Sequence, residues 1–97
     1  TNIPNEFKLE QNYPNPFNPG TSIRYRLPNF GFVSLKVFNS LGSEIATLVN
    51  EEQRSGNYKV DFNANLTNEG RQLSSGVYFY TLRADNYAMA KKMLLIK

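Results

Sequence analysis

LSSGVYFYTLRA (73–84) and the run that follows it, DNYAMAKKMLLIK (85–97), decide how this chain is read. From Gly76 to Ala84 both alternating sets of residues are apolar, and β-branched and aromatic types dominate. That composition predicts a central strand covered on both faces. Tyr87–Lys97 follows across Asp85-Asn86, a dipeptide suited to a short hairpin turn. Tyr78 stands near the start of the central strand, after Leu73 and a glycine. A tyrosine corner occupies that place in Ig-like sandwiches, its hydroxyl bonding upstream backbone. With Tyr78 inward, Tyr80 and Leu82 also point inward. Val77, Phe79 and Thr81 face the other way, leaving Phe79 as a partly exposed aromatic.

Working outward, the same period of two recurs along the chain. Phe7 and Leu9 alternate with Lys8 and Glu10, and Ile23, Tyr25 and Leu27 with Ser22, Arg24 and Arg26. Val33, Leu35 and Val37 alternate with Ser34, Lys36 and Phe38, and Tyr58, Val60 and Phe62 with Lys59, Asp61 and Asn63. Each reads as a strand with one buried face. SEIATLVNEEQ (43–53) is even on pattern alone: Ile45, Leu48, Val49 and Glu52 have helical spacing, whereas Ile45, Thr47 and Val49 have strand spacing. The bracketing Gly42 and Gly56 and the neighbouring strands favour a strand. About seven short strands separated by Gly, Asn and Pro predict an all-β fold, a single Ig-like β-sandwich.

QNYPNPFNPGT (11–21) places Pro14, Pro16 and Pro19 within six positions. Proline fixes φ, lacks a backbone donor and pushes the preceding residue toward extended geometry. Tyr13, Asn15 and Asn18 are therefore biased away from helix, and the segment cannot sit in a central strand. It reads as a stiff connector between the first strand and one beginning near Thr21. Its asparagine side chains are suited to bonding backbone groups that no ladder satisfies.

Ninety-seven residues suffice for one domain with a single modest core. A hydrophobic content of 40%, with 13% aromatics, is too rich for a disordered tail. No run is long enough to cross a membrane as a helix. The chain begins at Thr1 without a signal-peptide pattern, which suggests a piece of a longer protein with residues 1–6 as a linker remnant. The formal net charge is +3, and Lys91, Lys92 and Lys97 account for all of it, since the remaining residues balance. The basic character thus belongs to the C-terminal strand. Lysines there also have a plain structural use, because they discourage edge-to-edge pairing.

No catalytic set is visible. Without histidine there is no ordinary general base and no usual transition-metal ligand, and without cysteine there is no disulfide or thiolate chemistry. The acids are few, Glu51-Glu52 reads as a solvated pair, and neither a GxSxG nor a P-loop is present. No acidic D-x-D-type loop favours calcium. SGVYFYTL resembles an RNA-binding strand only in its aromatic spacing, lacking the basic and glycine positions of that motif. NLT (65–67) matches a glycosylation acceptor, a pattern too short to weigh much. NPF (15–17) matches a short endocytic peptide, but further prolines and a following strand make this a coincidence.

Taken in order, FKLEQNYPNPFNPGTSIRYRLP, VSLKVFNSLGSEIATLVN, SGNYKVDFNA, LSSGVYFYTLRA and KKMLLIK resemble the C-terminal sorting domains of the type IX secretion system, type A. The resemblance runs from Phe7 to Lys97; QNYPNPFNP is its most specific part, and Asn65–Arg71 is longer than the family pattern. It implies a seven-stranded Ig-like sandwich, with 43–53 as a strand, that ends a larger exported protein. Such a domain directs its cargo from the periplasm through the outer-membrane translocon. A sortase-like cysteine peptidase at the cell surface then removes it, and the cargo is released or joined to anionic lipopolysaccharide. The implied partners are translocon components and that peptidase, with no enzyme activity and no cofactor in the domain itself, no nucleic acid and no membrane insertion. The domain is expected to be a monomer. The positions matching the family's sorting motifs are Gly56 and Tyr58, Gly76 and Tyr78, and Lys91, Lys92, Met93, Leu94, Ile96 and Lys97. The glycine–tyrosine pairs read first as fold residues, and the C-terminal set as the signal. An acidic groove reading the lysines, or a partner strand added to this edge, would suit it. The competing reading is a retained structural or carbohydrate-binding Ig-like module of a secreted enzyme, with Tyr13, Phe17 and Phe79 as its exposed aromatics. A plain spacer is a third.

Overall fold

A computed structural model describes residues 6–67 and 72–97, which form seven strands and no helix. In chain order these are β1 (Lys8–Leu9), β2 (Gly20–Leu27), β3 (Gly31–Asn39), β4 (Glu44–Gln53), β5 (Gly56–Asn63), β6 (Gly76–Ala84) and β7 (Tyr87–Leu95). They build a three-stranded sheet of order β1-β2-β5 and a four-stranded sheet of order β4-β3-β6-β7, with every strand pairing antiparallel. The first five residues of the expected linker, and Asn68–Arg71 of the long loop, lie outside the described residues.

The doubly apolar β6 has β3 on one side and β7 on the other. Its Tyr78, Tyr80, Leu82 and Ala84 are buried, facing Ile23, Tyr25, Leu27 and Phe62 in a core shared by the two sheets. Val33, Leu35 and Val37 of β3 fill the same layer. The β6–β7 turn is the two-residue Asp85-Asn86, closed by the Ala84–Tyr87 pair, with Asp85 at φ 54°. Aspartate enters that left-handed region more readily than most residues.

Residues 43–53 form β4, and the pairing with β3 explains their mixed spacing. Register shifts fall between Leu35 and Lys36 and between Val37 and Phe38. Lys36 pairs with Thr47 and Leu35 with Val49, skipping Leu48; Val37 pairs with Ala46 and Phe38 with Glu44, skipping Ile45. Each skipped residue is a bulge that resets the alternation. Ala46 and Val49 are therefore both buried although three positions apart.

Two corners share one local sequence. Ser55-Gly56-Asn57-Tyr58 opens β5 and Ser75-Gly76-Val77-Tyr78 opens β6. The Tyr58 hydroxyl donates to the Arg54 carbonyl at 2.6 Å, and the Tyr78 hydroxyl to the Ser74 carbonyl at 2.7 Å. Both glycines have positive φ, 147° and 152°, where a side chain would be strained. Glycine turns the chain and tyrosine ties the turn, once in each sheet.

Candidate functional site

β7 lies at the edge of the four-stranded sheet, but part of that edge is not free. The chain from Phe7 to Phe17 runs beside β7. Phe7 stacks on Tyr87 with ring centroids 4.7 Å apart. Gln11 Nε2 donates to the Lys92 carbonyl at 2.7 Å, and Asn15 Oδ1 accepts from the Leu94 N–H at 3.0 Å. The Phe17 N–H donates to the Leu94 carbonyl and its carbonyl accepts from the Ile96 N–H, both at 3.0 Å, making a parallel bridge between Phe17 and Leu95. Proline-rich chain lacks the donors for a full ladder, so the Gln11 and Asn15 side chains supply bonds that backbone would otherwise make. The Tyr13-Pro14, Asn15-Pro16 and Asn18-Pro19 peptide bonds are cis.

A buried polar cluster holds this strap in place. The Asn12 N–H donates to the Tyr80 hydroxyl at 2.8 Å, and that hydroxyl donates to the Glu10 carbonyl at 2.6 Å. Asn12 Nδ2 reaches Thr21 Oγ1 at 3.0 Å, and Thr21 Oγ1 donates to the Pro14 carbonyl at 2.8 Å. Burial pushes the Tyr80 hydroxyl up to about 12, partly offset by its bond from Asn12. The Phe17 ring is 2% exposed and meets Phe62 edge-on at 6.1 Å.

This packing sorts the C-terminal set. Met93 and Leu95 are core residues. Lys91 shares their parity and is half-buried at the rim. Lys92, Leu94, Ile96 and Lys97 are exposed. Alternation places Lys92, Leu94 and Ile96 on the outer face of the sheet, and the Lys97 N–H is tied to Ser75 Oγ at 2.9 Å. None of the three lysines forms an ion pair with another described residue. The arrangement is suited to binding through side chains. No described group of three or more acidic, histidine or cysteine residues could hold a metal ion.

Two sequence-based expectations change here. The proline-rich stretch and the C-terminal strand, at opposite ends of the chain, share one sheet edge. The edge from Lys92 to Ile96, suggested as a place for a partner strand, is already occupied by Gln11–Phe17. The aromatic set Tyr13, Phe17 and Phe79 forms no exposed plane, because the Phe17 ring is buried in the core while Phe79 lies half-buried on the outer face of the four-stranded sheet. Sequence reasoning did not assign Gln11, Asn12 and Asn15 these long-range partners. The available signal was that polar amides interleave the prolines where backbone donors are missing.

The comparisons agree with this architecture. The model of a family described as "Secretion system C-terminal sorting domain" matches residues 11–97. No curated protein matches the chain. Among solved structures, dimeric latent PorU from Porphyromonas gingivalis is similar, at 16% identity and a TM-score of 0.73. The alignment covers 94% of this chain and 9% of that one, so this chain spans a small part of that protein's length. At that identity the likeness shows the fold.

Proposed function

We propose, from the premise that this chain belongs to the family of secretion-system C-terminal sorting domains, that its readable signal is the outer side of the last strand. The domain is a type IX C-terminal sorting signal, and its destination is the cell surface or the extracellular space. The observation that carries our reading is the division of the final residues. Met93 and Leu95 anchor the strand in the core, while Lys92, Leu94, Ile96 and Lys97 project to solvent. Gln11, Asn15 and Phe17 hold the strand edge, which favours recognition through these side chains over strand addition.

The finer assignments belong to the same proposal. The resemblance of QNYPNPFNP, GVYFYTL and KKMLLIK to type A sorting domains supports reading the domain as type A. Its partners are translocon components met from the periplasmic side and a sortase-like cysteine peptidase that removes it. Lys91, Lys92 and Lys97 suit an acidic groove on one of these partners. Gly56 with Tyr58 and Gly76 with Tyr78 act through the fold, and the domain serves as an address without catalysis of its own. Residues 1–97 then form one sorting domain behind an upstream cargo.

Mass spectrometry of the mature exported protein's C-terminus tests the processing. Residues 11–97 should be missing from the surface or secreted form. Their presence on the mature protein would favour a retained module instead.

A further inference from the structure

The outer face of the four-stranded sheet carries a pattern that extends beyond the last strand. Read straight across β4, β3, β6 and β7, the pairing aligns Glu44, Phe38, Phe79 and Lys92 in one row. The adjacent row sets Val77 beside Leu94, and Ile96 continues the same face past the end of β7. Val77, Leu94 and Ile96 are 38%, 36% and 50% exposed, and Phe38 and Phe79 are half-buried. Neighbours directly across a ladder lie about 5 Å apart, so these five side chains form one apolar stripe over three strands. An open cleft of about 240 Å³, lined in part by Leu41, Ser75 and Val77, prolongs it at one end. The solvent face of an antiparallel sheet is ordinarily polar, and contiguous apolar surface there marks an interaction site.

Charge gives this stripe a direction. On the β3–β4 side Lys36 is matched by Glu44 at 3.3 Å. On the β7 side Lys92 and Lys97 have no acidic partner among the described residues. Glu52, opposite Phe32 in the register, also lies on this face. An anionic lipid surface laid against the sheet would meet Glu44 and Glu52 as well as Arg83 of β6 and the lysines. A protein can place its carboxylates against the β7 side alone.

We propose that this stripe, and not the terminal peptide by itself, is the docking surface, and that its occupant is a protein presenting an apolar ridge flanked by carboxylates. The ridge covers Phe79, Val77, Leu94 and Ile96, and the carboxylates face Lys92 and Lys97. The proposal rests on the sorting reading above and adds that the signal is a folded, cross-strand surface. Val77 and Phe79, contributed by β6, belong to the signal as much as the tail does.

The test uses residues 1–97 fused behind a periplasmic reporter in a host with a type IX system. Variants are V77T/L94T, I96T and K92E, with R24T on the other sheet as control. V77T/L94T is expected to cut export at least about tenfold, the effect of losing central anchors from an interface. Its thermal midpoint should match that of the parent, and R24T should export normally. Export of V77T/L94T at the parent level overturns the proposal while leaving the sorting reading intact. Failure of the parent fusion to export overturns both. If V77T/L94T lowers the midpoint, I96T and K92E carry the test, since both leave the β6–β7 ladder in place; parental export of these two overturns the proposal equally. Co-sedimentation of the purified chain with phosphatidylglycerol vesicles, lost in the same variants, would assign the stripe to lipid and overturn the protein partner.

Discussion

Tyr80 shows how much one side chain can organise. Its ring belongs to the core, and its hydroxyl links the Asn12 N–H to the Glu10 carbonyl beneath the strap. Tyr80→Phe keeps the ring and leaves the buried Asn12 N–H without its acceptor, so the expected loss is about 1–3 kcal/mol in urea unfolding. Tyr78→Phe removes one bond to a carbonyl on an exposed residue and should cost about 0.5–1.5 kcal/mol. Tyr25 and Tyr80 also predict an alkaline limit. Burial raises both hydroxyls from 10.0 to about 12. The folded state therefore holds these protons in a range where the unfolded chain releases them. Their stabilising contribution is fully present below pH 10 and is lost as pH rises toward 12. Unfolding midpoints measured across that range should fall, and more gently in Tyr80→Phe. At this scale the sequence was readable where a residue acts locally. The corner at Tyr78 follows from a glycine two positions earlier, whereas the Tyr80–Asn12 bond joins residues whose adjacency only the sheet topology creates.

Among the elements, the strap and β4 are the instructive cases. Strands with regular alternation, such as Ile23–Leu27 and Val33–Val37, were legible because one face is buried throughout. β4 was even between helix and strand on pattern and legible as a strand only from its context, because two bulges displaced its apolar residues into a spacing that a helix shares. Stiff geometry was predicted for the strap from its prolines, but its docking site was not, since prolines say where a chain cannot pair and nothing about what it lies beside. Asn15→Ala deletes the acceptor of the Leu94 N–H. Hydrogen exchange at Leu94 should therefore accelerate in that variant, with little change at Met93, whose alternation points its N–H toward β6. Phe17→Ala removes a buried ring while its backbone bridge to β7 can persist, and an overall loss of about 3–5 kcal/mol is expected. An unchanged denaturation midpoint in Phe17→Ala would show that the strap is not part of the cooperative fold.

At the scale of the whole molecule, the two ends of the described chain meet along one sheet edge. The proposed signal there would report that the domain has folded, because Met93 and Leu95 reach the core only when the two sheets have closed over it. Deleting Met93–Lys97 would consequently remove core as well as the proposed signal, so its effect on export would not isolate recognition. The family likeness rests on motifs spread from the proline-rich stretch to the final lysines, and it is legible in the sequence alone. The exposed side of the tail was not, since alternation alone does not say which face the core takes. The most direct measurement is the location of a periplasmic reporter carrying residues 1–97 at its C-terminus, compared with the reporter alone, in a host with a type IX system. The fusion should appear at the cell surface or in the medium and the bare reporter in the periplasm; a fusion retained in the periplasm would contradict the sorting role.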